Sequence, residues 1–199
     1  RDSKAANIIS AQVIMKPNCV LGLATGSTPI GTYDKLIEAY KSNEVSFAKV
    51  KSINLDEYVG ISWSNTESYR YFMNEHLFDH VDIDKTNTHV PNGLAGDLDE
   101  ECARYDALYD RIGPVDIQVL GIGLNGHIGF NEPGTSLSAP THIVKLSDST
   151  RQANSRNFTS LDAVPYKAIT LGMAGIMKAK KIVPVSYTHL RAHETPEHL

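Results

Sequence analysis

Cysteine is almost missing from this chain. Cys19 and Cys102 are the only two in 199 residues, and they lie far apart. That excludes a disulfide-stapled framework and fits reduced core thiols in a cytosolic protein. Concentrated positive charge is missing too. Lysine and arginine number 19 against 23 acidic residues, for a net charge of −4. No basic run exists, and aromatic and basic residues do not interleave along a strand, which argues against a nucleic-acid surface. No apolar run approaches the length needed to cross a bilayer. The opening residues Arg1-Asp2-Ser3-Lys4 lack the apolar core of a signal peptide. These absences predict a cytoplasmic protein with neither nucleic acid nor membrane as a partner. What remains is ordinary globular material, 41% hydrophobic and 21% charged. The length allows one domain, or at most two, with a real core.

Strand-like runs alternate with amphipathic helical stretches. Cys19 to Ala24, Val50 to Leu55 and Val115 to Ile122 read as strands, the last being the most apolar. Shorter candidates are Ile143 to Leu146, Ala168 to Leu171 and Lys181 to Val183. Pro29 to Asn43 reads as a helix with proline in its first turn, where the missing N–H costs nothing. Its apolar face is Tyr33, Leu36, Ile37 and Tyr40. Tyr69, Phe72, Met73, His76 and Leu77 mark a second helical face, and Leu98, Cys102, Tyr105, Tyr109 and Ile112 a third. Ala174 to Ala179 is a short helix. The alternation predicts an α/β fold of Rossmann-like, doubly wound type, with a mostly parallel sheet and helices on both faces. There is no internal repeat and no linker. In such sheets ligands sit at the carboxyl ends of strands. The three most unusual loops, beginning near residues 25, 56 and 123, all follow strands directly, which predicts one shared site.

Residues 121 to 136, Gly-Ile-Gly-Leu-Asn-Gly-His-Ile-Gly-Phe-Asn-Glu-Pro-Gly-Thr-Ser, are poor core material. Five glycines, a histidine and a glutamate suit a loop whose backbone approaches a ligand. Within it, His127 and Glu132 are the groups able to exchange a proton near neutral pH with modest tuning. A structural histidine bonded to its own loop is the alternative. Ala24-Thr25-Gly26-Ser27-Thr28-Pro29 joins a strand to a helix N-terminus. Small residues there expose backbone N–H groups, the helix dipole favours an anion, and Thr25, Ser27 and Thr28 add hydroxyl donors. A tight turn with a Ser or Thr cap is the alternative. No lysine follows the glycine, so the loop is not a nucleotide P-loop. Asp56 and Glu57 stand at a strand end, where neighbouring side chains point to different sides, and a loop-capping aspartate is the plain alternative. Arg156 reads, by itself, as a surface helix arginine.

Four segments in order carry a resemblance: Leu21–Tyr33, Asn54–Gly60, Gly121–Ser136 and Asp148–Arg156. Together they resemble the glucosamine-6-phosphate deaminases, over about residues 1 to 183. The resemblance implies conversion of glucosamine 6-phosphate and water to fructose 6-phosphate and ammonia, with no metal or other cofactor. It implies that Asp56 moves the proton from C2 to C1 of the open-chain sugar. His127 would open the pyranose ring, and Glu132 would orient the imidazole. Asn125 stands where some members have aspartate, and is kept as a supporting residue that cannot hold negative charge. Thr25, Gly26, Ser27, Thr28 and Arg156 would hold the phosphate. Beyond the small-molecule sugar phosphate, a homo-oligomer is left open as a partner. The stretch from Leu137 to Lys145 carries one formal charge where allosteric members carry a basic cluster, so activation by N-acetylglucosamine 6-phosphate is not expected. Two alternatives have a similar fold: a 6-phosphogluconolactonase-like hydrolase, and a non-catalytic sugar-phosphate sensor.

The character changes after Val183. Residues 184 to 199 are polar and hold three of the eight histidines. Val185 to Thr195 resembles the translation of a transposase-type sequencing adapter, so residues 184 to 199 are read as a non-native tail. The spacing of His189 and His193 as a metal pair is the rival. The chain also begins inside what resembles the family's first helix, so residues 1 to 183 are read as a domain incomplete at both ends.

Overall fold

The computed structural model describes residues 2–123 and 126–185. Its frame is a five-stranded sheet in which every pairing is parallel. In chain order the elements are α1 (Asp2–Met15), β1 (Val20–Leu23), α2 (Ile30–Lys41), β2 (Lys51–Asn54), β3 (Asp56–Tyr58), α3 (Tyr69–His76), β4 (Thr88–His89) and α4 (Leu98–Arg111). Then follow β5 (Ile117–Gly121), β6 (His142–Lys145), α5 (Asp148–Asn154), β7 (Lys167–Thr170), α6 (Met173–Met177) and β8 (Ile182–Val185). The parallel sheet runs β4-β2-β1-β5-β8.

Its central strands are apolar on both faces because helices cover both. Leu21 and Leu23 of β1 and Ile117 and Val119 of β5 face Ile9 and Val13 of α1, Tyr33 and Leu36 of α2, and Met73 of α3. Val20 and Leu120 face the other way, toward Tyr105, Leu108 and Tyr109 of α4 and Ile176 beside them. Burial on both sides is what turns these strands into continuous hydrophobic runs. Chain order in the sheet reverses about β1, with β2 on one side and β5 on the other, so the crevice between their ends is a topological switch point.

A second sheet modifies the expected architecture. β3, β7 and β6 form a separate three-stranded sheet, antiparallel throughout. The Ile143 and Ala168 strands therefore pair with each other and with β3, outside the parallel sheet. Leu55 is the junction. Its N–H donates to the Leu23 carbonyl at 3.2 Å, extending the β1–β2 ladder, and its carbonyl accepts from Leu171 N–H at 2.7 Å. One residue later the chain is already in the second sheet, so the expected strand Val50 to Leu55 ends at Asn54 and a new one begins at Asp56. α2 starts at Ile30, with Pro29 as its N-cap. The last strand runs to Val185, two residues past the expected boundary at Val183, with Pro184 and Val185 opposite Leu120 and Gly121.

Candidate active site

The carboxyl ends of β1, β2 and β5 border a cavity of about 570 Å³. All three singled-out loops contribute to it: Thr25, Gly26 and Thr28 after β1, Asp56 after β2, and Gly123, His127 and Glu132 after β5. The remainder of the wall includes Tyr69 from α3, Phe130 from the histidine loop, and Thr150, Ala153 and Asn154 from α5.

The first loop is held open by its anchors. Tyr33, fully buried one turn into α2, donates its hydroxyl to the Ala24 carbonyl at 2.5 Å and accepts from Ala24 N–H at 3.2 Å. That fixes where the loop leaves β1. Gly26 has φ of +93°, and an added Cβ would meet nothing. The glycine is therefore there for its left-handed backbone, not for want of space. The turn delivers Thr25 and Thr28 to the cavity just ahead of the amino end of α2, a setting suited to an anion.

Asp56 sits at the junction of the two sheets, 7% exposed. Burial, with the neighbouring Glu57 carboxylate second, pushes its carboxyl up to about 8. Desolvation penalises the charged form, and a like charge beside it adds to the effect. Glu57 points the other way and is fully buried. It accepts from Tyr58 N–H and Tyr69 N–H at 2.9 Å and from Arg70 N–H at 3.0 Å. Burial pushes it up to about 7, against the pull of those three N–H groups and of Arg70. The two adjacent carboxylates thus have different surroundings: one faces a cavity, the other the amino end of a helix.

The histidine loop is built around contacts to its own backbone. Gly123 N–H donates to the His127 carbonyl, and Gly126 N–H to the Gly123 carbonyl, both at 2.9 Å. The imidazole lies so close over Gly123 that any Cβ there would collide with the ring. Asn131, buried at 2% exposure, ties the loop to the junction: its Nδ2 donates to Ile128 O at 3.0 Å and to Leu171 O at 2.9 Å. Phe130 N–H reaches Thr170 Oγ1, opposite Asp56 in the β3–β7 register, at 3.3 Å. The loops bearing His127 and Asp56 are therefore fastened to the same strand end.

The family model described as glucosamine-6-phosphate isomerases/6-phosphogluconolactonase matches residues 3–188. A glucosamine-6-phosphate deaminase of Lachnoclostridium phytofermentans is 58% identical over 183 residues, covering 92% of this chain and 78% of that protein. One of Geobacillus sp. (strain WCH70) is 57% identical, covering 90% of this chain and 72% of its relative. The chain belongs to the glucosamine-6-phosphate deaminase family. A solved structure described as a monomeric glucosamine-6-phosphate deaminase superposes with a TM-score of 0.89 at 49% identity, over 92% of this chain and 76% of that one. The 6-phosphogluconolactonase of Thermotoga maritima superposes at 0.69 with 17% identity, over 92% of this chain and 76% of that one. That likeness shows the shared fold alone.

Against the deaminase pattern, the candidate residues divide. Asp56, His127, Glu132, Thr25, Gly26 and Thr28 meet at the cavity wall. Ser27 belongs to the same loop but is exposed and is not part of that wall. Arg156 stands in the short turn Ser155–Asn157, exposed and likewise outside the wall. Asn125 lies outside the described residues. The nearby Arg151 is the buried arginine of that segment: it stacks on Tyr166 at 3.8 Å and donates to the Leu161 carbonyl at 2.8 Å. Tyr69 and Phe130 were not foreseen as wall residues. Their rings lie parallel, with centroids 6.3 Å apart, in a cluster with Tyr58. Asn154 Nδ2 donates to the Tyr58 hydroxyl at 3.0 Å, joining α5 to this cluster. Thr150 and Asn154 lie inside a segment the sequence marks. Tyr69 carries no such signal, since its spacing is that of an ordinary apolar helix face.

Proposed function

We propose that this protein converts glucosamine 6-phosphate and water to fructose 6-phosphate and ammonia. The observation that carries the reading is the single cavity joining an anion-suited loop to a buried carboxyl and a histidine–glutamate loop. Thr25, Gly26 and Thr28 hold the phosphate end, with Ser27 and Arg156 supplying further donors when substrate is bound. His127 passes a proton from the anomeric hydroxyl to the ring oxygen, which opens the ring to the C1 aldehyde. Glu132 orients the imidazole and stabilises its charged form, the relation of a base to its orienting partner. Asn125 is kept as a supporting residue of that pair, not as a proton acceptor.

Asp56 then removes the proton from C2 while the substrate's C2 ammonium passes one of its protons to O1, leaving a neutral enolamine across C1 and C2, and Asp56 returns a proton to C1. The product of this step is a C2 iminium. Water adds to it, and the C–N bond breaks as ammonia leaves, giving the C2 ketone. Oxidation at C2 and reduction at C1 balance within the sugar, so no external oxidant or reductant is required. A carboxyl raised toward the working pH is a better base for a carbon-bound proton than one at its ordinary value. A phosphorylated sugar as substrate fits a cytoplasmic setting.

Incubation with glucosamine 6-phosphate, with ammonia and fructose 6-phosphate measured together, tests the reading. Equal amounts of both are expected. Hydrolysis of 6-phosphogluconolactone without ammonia release would replace it with the lactonase alternative, and binding without turnover with the sensor.

A further inference from the structure

Glu57 takes no part in the proton transfers above, yet it is a fully buried carboxylate next to the candidate base. It bridges two elements. Its backbone belongs to β3, where it lies opposite Ile169. Its carboxylate collects the N–H groups of Tyr69 and Arg70, the first two residues of α3, and that of Tyr58. The usual cap of this helix is already present, because Ser68 Oγ accepts from Tyr71 N–H at 3.1 Å. Glu57 therefore adds a tertiary tie to a helix end that is capped locally. The tie fixes the residue that matters to the cavity: Tyr69 starts α3, and its ring lines the wall together with Asp56.

We infer that Glu57 is a positioning residue, a clamp that holds Tyr69 of α3 against the strand bearing Asp56 and so sets the shape and polarity of the cavity around that carboxyl. The inference rests on the reading of Asp56 as the base. The geometry gives the clamp direction: three N–H donors converge on one side chain, and replacing its charge weakens all three at once. The electrostatic consequence follows. Among the described residues, groups bearing on the pair include Tyr58 on β3, Tyr69 and Arg70 on α3, and Tyr105 on α4, while His127 and Glu132 line the same cavity as Asp56. Arg70, a cation, draws the Glu57 carboxyl down. Glu57 in turn raises Asp56.

The test is Glu57→Gln in the full chain, read three ways. Amide hydrogen exchange at Tyr58, Tyr69 and Arg70 should speed up by tenfold or more. The carboxylic C=O band of Asp56, isolated in the infrared as the difference from Asp56→Asn, should titrate at lower pH than in the unaltered protein. Turnover should fall by about tenfold with KM changed less than threefold. If the glutamine variant does not fold, Glu57→Asp, which keeps the charge but shortens the reach, is judged by its amide exchange and turnover. Unchanged exchange, or turnover within twofold of the unaltered protein in a folded variant, would overturn the inference, as would an unmoved Asp56 band. Near-normal turnover in Asp56→Asn would instead defeat the reading of Asp56 as base, while exchange and the infrared band would still judge the clamp.

Discussion

Asp56 should make the protein less stable as pH rises through neutrality, and Asp56→Asn should largely cancel its share. The unfolded aspartate ionises near its ordinary value of 3.8, whereas the folded one keeps its proton up to about 8. Between those limits the folded state binds more protons than the unfolded state, so stability falls with rising pH, by about 1.4 kcal/mol per pH unit for one such group. The contribution is fully present below the unfolded value and is lost as pH climbs through the folded one. Glu57, raised from 4.5 to about 7 for the same leading cause, adds a slope of like sign over its own window. Asparagine has almost the shape of the protonated acid and does not titrate. Variant and parent should therefore match only below the unfolded value of 3.8. The variant should gain on the parent by about 3 kcal/mol between about pH 5 and about pH 7, or roughly 6–12 °C in Tm for a chain of this size. Urea or thermal unfolding across that range measures it. Curves for the two proteins that stay parallel would refute the argument, because they would show Asp56 ionised in the folded state as in the unfolded chain.

Other outcomes follow from the same geometry. His127→Gln should lower turnover by about 10²-fold or more, the scale of a lost acid–base group, and steady-state assay at saturating substrate checks it. Gly123→Ala should displace the imidazole with which its Cβ would collide, lowering turnover by about 10²-fold while costing about 1–3 kcal/mol of stability. Normal turnover in a stable Gly123→Ala protein would show that the ring can move without consequence.

The parallel frame was legible because its central strands are covered on both sides. β1 and β5 read as unbroken apolar runs for that reason, and the helix faces of α2, α3 and α4 followed from their spacing. The second sheet was not legible as a separate body. Residue patterns report that Ile143–Leu146 and Ala168–Leu171 are extended, but not which neighbours they bond. β3 was hidden because Asp56-Glu57-Tyr58 looks like a polar loop; its burial depends on Tyr69, Arg70 and β7, all distant in sequence. At the site, the glycine-rich loops stood out because glycine, hydroxyl and proton-carrying residues are unusual together after a strand. Tyr69 and Phe130 did not, since an aromatic lining a ligand cavity and an aromatic filling a core have the same local pattern. The inequivalence of Asp56 and Glu57 was foreseen in direction from strand alternation. The clamp on α3 was not, because it needs the three-dimensional approach of residue 57 to residues 69 and 70.

The most direct test of the central claim is the position of solvent hydrogen in the product. Glucosamine 6-phosphate is turned over in heavy water and the fructose 6-phosphate examined by proton NMR. A carboxylate that takes the C2 proton and returns one to C1, exchanging in between, should leave deuterium at C1, with internal transfer lowering the yield below one per molecule. Asp56→Asn should abolish both turnover and C1 exchange. Deuterium still entering C1 in Asp56→Asn would show that another base does the work, and product without ammonia would contradict the deaminase reading itself.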